Sequence, residues 1–171
     1  MKKLLYILLF VPIVLFGQDN YSLSFDGVDD YLIVENNINL SITGDLSISI
    51  TGEYNISSND SQTILLYGEE GESYDSNGLY VIEIPPSSNY FRIIHEYGEG
   101  LNEILTSSIT FTPGQWVKIG IVRDTYNKSY HFYKDNSYVE SISYNNNPEG
   151  CYNCSLYIGG NSINNGLSYN T

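Results

Sequence analysis

Short runs of alternating apolar and polar residues, each closed by Gly, Asn, Asp, Ser or Pro, recur along most of this chain. In Leu46-Ser-Ile-Ser-Ile50 the alternation puts Leu46, Ile48 and Ile50 on one face, because successive side chains of a strand point to opposite sides. Tyr21–Phe25 alternates in the same way. Further extended runs fall at Tyr31–Glu35, Gln62–Tyr67, Leu79–Ile84, Tyr90–His95, Ile104–Phe111, Trp116–Arg123, Tyr130–Lys134, Tyr138–Ser143 and Ser155–Gly159. Composition points the same way. The chain has no alanine, the best helix former, while β-branched and aromatic residues recur throughout. Many short strands at this spacing predict an all-β antiparallel sandwich or barrel, with no helical period anywhere.

The punctuation between runs can be read individually. Asp135-Asn136 separates two strands by two residues that tolerate positive φ, as a tight hairpin requires. Pro113-Gly114 breaks the chain before the Trp116 run, and Pro85-Pro86 ends the Leu79–Ile84 run. Asp26-Gly27 reads as a hairpin turn between the first two runs, with Asp29-Asp30-Tyr31 as the entry to the second.

The first residues are of a different kind. Lys2 and Lys3 precede an apolar run, Leu4 to Phe16, and Gly17-Gln18 opens the polar region. That order is expected of a secretory signal peptide spanning 1–17. The apolar run is shorter than the roughly 20 residues an ordinary membrane span needs, although an uncleaved anchor stays open. The remaining 154 residues, 18–171, read as one domain with five basic side chains against 20 acidic ones, a net charge of −15. So acidic a chain, with no basic patch, is a poor partner for nucleic acid or anionic lipid. It leaves carboxylates available to divalent cations.

Four segments in order carry a resemblance: Ser24–Glu35 (SFDGVDDYLIVE), Leu46–Thr51 (LSISIT), the pair TPGQWVKIGIVRD and HFYKDNSYVESI, and SLYIGGN near the end. Together they resemble laminin G-like domains of the concanavalin A-like lectin/glucanase superfamily, which includes the pentraxins. The resemblance implies an antiparallel jelly-roll β-sandwich. It also implies a closing strand after the Ile-Gly-Gly segment that this sequence lacks, so a domain truncated at its C-terminus, or closed in another way, is expected. Asn136 stands where the family usually has a turn glycine. By the same resemblance Asp75 and Asn77, before the Leu79 run, and Asn161, after Ile-Gly-Gly, could share one calcium ion. Ser162 and Ile163 depart from the pentraxin pattern.

Catalysis finds little support in the residues. Glucanases of this superfamily carry acidic residues alternating on one strand, which sets two carboxylates beside one glycosidic bond. No run here has that pattern; Glu83 stands alone in its run, and Glu69, Glu70 and Glu72 fall in turn sequence. His95 and His131 are the only histidines, and His131 sits inside a strand as a packed or surface side chain. Cys151 and Cys154 form a CxxC in an Asn/Gly-rich loop. A structural disulfide fits that setting, whereas redox use would call for a helix and zinc for two further ligands. Trp116, at a family position, is expected in the core. Tyr67, Tyr74, Tyr97 and Tyr152 lie near loop signals and are candidates to face a ligand. The chain therefore reads as a secreted or cell-surface, non-catalytic module of a larger protein that binds carbohydrate or a glycoprotein through loops on one rim, with calcium as a candidate cofactor. A glucanase-like domain and a structural spacer are the alternatives.

Overall fold

A computed structural model describes residues 22–26, 30–35, 38–56, 61–69, 80–98, 101–151, 154–163 and 166–169. Twelve strands occur in these residues: β1 Leu32–Val34, β2 Leu46–Glu53, β3 Gln62–Glu69, β4 Tyr80–Ile84, β5 Tyr90–Gly98, β6 Leu101–Thr110, β7 Trp116–Asp124, β8 Ser129–Lys134, β9 Ser137–Ser143, β10 Cys154–Ile158, β11 Gly160–Ile163 and β12 Gly166–Tyr169. The one described helical segment is a 3-10 turn at Ile38–Leu40. No helix among the described residues is long and apolar enough to cross a membrane.

The strands form two antiparallel sheets packed face to face. The larger sheet has the order β1-β10-β3-β4-β5-β6, the smaller β2-β7-β8-β9, and β11 and β12 pair as a separate hairpin. This is the antiparallel sandwich that the alternation allows and the jelly roll that the family resemblance implies. Its core draws on both sheets, with Ile82, Ile84, Phe91, Ile93 and Leu105 from the larger and Val117, Ile119, Ile121 and Phe132 from the smaller, all buried. Burying each such side chain removes apolar surface from water and contributes about 1.5–3 kcal/mol. Tyr54, Phe91 and Phe111 fill one part of the core, with ring centroids 5.3–5.7 Å apart.

Local chemistry explains the joints. Asp135 and Asn136 both take positive φ, 49° and 66°, so the β8–β9 hairpin closes as expected. Asp135 adds a tie to β7 by accepting the Lys118 N–H at 3.0 Å. The β6 edge is blocked by side chains from the facing sheet: Glu140 accepts from the Ser107 and Ser108 hydroxyls at 2.9 and 2.8 Å, and Lys134 donates to the Thr110 carbonyl at 2.6 Å. Glu140 also accepts the Ser108 N–H, so this contact and the Lys134–Thr110 one occupy backbone groups that an open edge would offer to another chain.

Two corrections concern the ends. Ser22–Phe25 is not in a strand, although alternation predicts one there. Phe25 instead packs on Gly159, which has φ +82°; a Cβ on Gly159 would lie 2.6 Å from the Phe25 ring. The two motifs that open and close the family resemblance thus meet in space. Asp30 accepts the Asp26 N–H at 3.1 Å, a local contact within the acidic opening segment, and residues 27–29 of the expected turn lie outside the described ones. After Ile-Gly-Gly the chain continues as β11 and β12, strands that alternation does not reveal. The expected signal peptide lies outside the described residues.

Candidate functional site

Strand β8 supplies two aromatic clusters of opposite character. Alternation sends Tyr130 and Phe132 into the sandwich, and His131 and Tyr133 to the outer face of the smaller sheet. The inner cluster sits at the end of the sandwich where β5 finishes and β6 begins. The Tyr130 hydroxyl lies 3.2 Å from His95 Nδ1, and His95 Nε2 lies 2.9 Å from the Asn146 carbonyl oxygen. A carbonyl only accepts, so Nε2 carries the proton and Nδ1 accepts from the tyrosine. Burial, the largest influence, holds the His95 imidazole below its ordinary pKa, against the opposing pull of Asn146 and Glu103. Beside it the buried Arg123 donates from Nε to the Gly44 carbonyl at 2.9 Å and from its guanidinium to the Ile42 carbonyl, pinning the 42–44 loop. These groups are fully or nearly fully buried and hydrogen-bonded within the fold.

The outer face is built differently. Pairing across the smaller sheet generates rows of side chains that share this face: Glu53 beside Trp116, Thr51 beside Lys118, then Ser49–Gly120–Tyr133–Tyr138, then Ser47–Val122–His131–Ser141, with Asp124, Ser129 and Ser143 above. Trp116 is 59% exposed and Tyr138 57%, so neither is spent on the core. Tyr133 and Tyr138 meet edge to face at 5.7 Å, and His131 lies 6.4 Å from Tyr138. Gly120 makes the seat for Tyr133, whose Cβ would be 3.3 Å from a Cβ placed on the glycine. The result is a strip of rings flanked by hydroxyls. Rings offer flat apolar contact area, and Ser and Thr offer donors and acceptors beside them.

Of the residues expected to face a ligand or hold a metal, Tyr67, Tyr97 and Asn161 are described, and they lie on β3, β5 and β11 rather than on the smaller sheet. Tyr67 is fully buried, stacked on Tyr80 at 5.5 Å, and so belongs to the core rather than to a ligand face. Trp116 is the reverse correction: Val117, Ile119 and Ile121 point inward, and the same alternation turns Trp116 to solvent. Tyr97 is half-buried at the end of β5. Tyr74, Asp75, Asn77 and Tyr152 lie outside the described residues. Asn161 lies on β11, paired with Ser168 of β12. No group of three or more His, Cys, Asp or Glu among the described residues could hold a metal ion. Cys151 and Cys154 are joined in a disulfide, as expected. Tyr133 and Tyr138 were not singled out from sequence, although the Tyr130–Lys134 alternation carries the signal for Tyr133.

Residues 26–170 match the Laminin_G_3 family model of the concanavalin A-like lectin/glucanases superfamily. The chain belongs to this family. Among solved structures, the CBM40 of a Ruminococcus gnavus IT-sialidase bound to α2,3-sialyllactose is similar, with a TM-score of 0.63 at 12% identity over 77% of this chain and 72% of that one. A leech intramolecular trans-sialidase complexed with 2,7-anhydro-Neu5Ac gives 0.59 at 13% identity over 77% of this chain and 20% of that one. Mouse laminin α1 domains LG4-5 give 0.54 at 11% identity, over 77% and 32%. At these identities the likeness is one of fold. Comparison with curated protein sequences gives no match.

The superfamily's description includes glucanases, enzymes whose chemistry rests on paired carboxylates. A glycosidase acid needs a raised pKa. Glu83 is fully buried and bonded to Arg92 across the β4–β5 pair. Burial raises the Glu103 carboxyl, but the N–H groups of Asn145 and Asn146 outweigh it and hold it below its ordinary value. Glu140 is lowered in the same way, burial being outweighed by Ser108 and Ser107. These are anchors for loops and edges. Ser129, His131 and Asp124 make a Ser/His/Asp group on the outer face, but Ser129 Oγ at 3.4 Å and Asp124 Oδ2 at 4.0 Å both approach Nε2 of His131. A triad needs its serine and its aspartate on opposite ring nitrogens, so this group cannot relay a proton.

Proposed function

We propose that this chain is an exported, non-catalytic glycan-binding module of a larger protein, docking its ligand on the outer face of the smaller sheet. The observation that carries the proposal is the row of rings on this face, exposed at Trp116 and Tyr138 and half-buried at Tyr133 and His131, set among serine and threonine hydroxyls. A pyranose presents C–H groups on its faces and hydroxyls at its edge; rings cover the first and polar side chains pair with the second. The α2,3-sialyllactose bound to the CBM40 of the same fold supports the reading.

Affinity electrophoresis of the full chain through gels containing soluble β-glucan, xylan, mannan or galactan tests it. Retardation is expected in at least one gel and is expected to disappear when Trp116→Ala and Tyr138→Ala are combined. Reducing-sugar release from the retarding polysaccharide would replace the binding reading with a catalytic one. Calcium enters the proposal only as a stabiliser. A ligand bound to the folded state alone raises the melting temperature, so a midpoint equal in EDTA and in calcium would remove it.

A further inference from the structure

We infer that the outer strip accepts uncharged glycan chains and rejects sialylated and uronic ones, an inference that rests on the binding proposal above. Carboxylates are recognised best by the planar fork of arginine, and the chain has two arginines, neither on this face. Arg123 points into the sandwich and holds the 42–44 loop, and Arg92 lies on the other sheet, bonded to Glu83. The other cations are committed or sparse. Lys134 and Lys128 donate to the carbonyls of Thr110 and Asn145, which leaves Lys118 as the one ammonium in the rows of the strip.

Carboxylates frame the strip at both ends. Glu53 stands beside Trp116 at the lower end. At the upper end Asp124 accepts from the N–H and the amide of Asn127, and Asp45 accepts from Thr125. An acidic sugar seated on the central rings would meet these carboxylates and the field of a chain with a net charge of −13. The two central rows carry hydroxyls, rings and Val122, with His131 as their single titratable imidazole. From Trp116 to Asp124 the strand advances about 26 Å at roughly 3.3 Å per residue, room for several sugar rings in line.

Calorimetric titration of the full chain decides the matter, with cellohexaose, xylohexaose, mannohexaose and chitohexaose set against 3′-sialyllactose and polygalacturonate. The expected result is binding to at least one uncharged oligosaccharide. That binding should weaken about tenfold or more in Trp116→Ala and in Tyr138→Ala, and change little between about 0.05 and 0.5 M NaCl. Unchanged thermal melts would show that both variants remain folded. Sialyllactose or polygalacturonate binding that these substitutions abolish would overturn the charge selection while leaving the strip as the site. Binding that neither substitution weakens, or no binding to any probe, would remove the strip itself.

Discussion

Tyr130-His131-Phe132-Tyr133 contributes to two aromatic clusters that share a strand and almost nothing else. Inside, Tyr130 and His95 are wedged against Tyr144, with ring centroids 5.0–5.7 Å apart, and their polar atoms bond within the fold. Outside, Tyr138 keeps its ring in solvent, Tyr133 and His131 are half-buried beside it, and Trp116 is exposed further along β7 on the same face. Aromatic content alone therefore says little about function. Burial and the occupation of the polar atoms separate a ring that stabilises the sandwich from one free to meet a ligand.

Substitutions can break that contrast, beginning with the interior. Phe132→Ala removes a fully buried ring and is expected to cost about 3–5 kcal/mol in urea denaturation, while Tyr133→Ala next to it should cost about 1 kcal/mol or less. Equal losses at the two positions would mean that the outer rings are also structural. Next in size is Gly159→Ala. Both the left-handed backbone and the Phe25 ring oppose a Cβ there, and a loss of about 2 kcal/mol is expected by thermal or chemical melting.

The inner cluster should also respond to acid. The folded pKa of His95 lies below its ordinary value of 6.5, so the unfolded chain takes up this proton first on acidification. Its contribution to stability is complete above pH 6.5 and is lost as pH falls from there toward the lower folded value. A His95→Gln variant, compared with the parent across that window, should show a flatter fall in stability; parallel profiles would contradict the assigned tautomer and burial. The smallest expected effect belongs to the outer face. Trp116→Ala and Tyr138→Ala should shift stability by about 1 kcal/mol or less in the same melts, because both rings are largely solvated already.

Much of the fold was legible because alternation survives in most strands. From Tyr31 onward each expected run is found as a strand, with ends displaced by a few residues. The missed pair, β11 and β12, falls in Asn-, Ser- and Gly-rich sequence with few apolar residues to mark a face. Tyr67 was misplaced because Ile64-Leu65-Leu66-Tyr67 is apolar throughout, and both faces of β3 are buried, which erases the periodic signal. Trp116 was misplaced for the opposite reason. Its alternation with Val117, Ile119 and Ile121 points outward, whereas the family resemblance alone implies a core position. Alternation with Val117, Ile119 and Ile121 puts Arg123 on the inner face, but nothing in the run Trp116–Asp124 says that it would hold a loop about 80 residues away in sequence. That placement depends on the carbonyls of Ile42 and Gly44, brought there only when the strands pair.

The central claim is that the outer face of the smaller sheet is the binding surface, and backbone amide shifts recorded during glycan titration of the labelled full chain test it most directly. The account predicts shifts concentrated at Trp116–Asp124, Ser129–Lys134 and Ser137–Ser143, strongest around Gly120, Tyr133 and Tyr138. Shifts concentrated on β3, β4 and β5, with these strands unmoved, would contradict it.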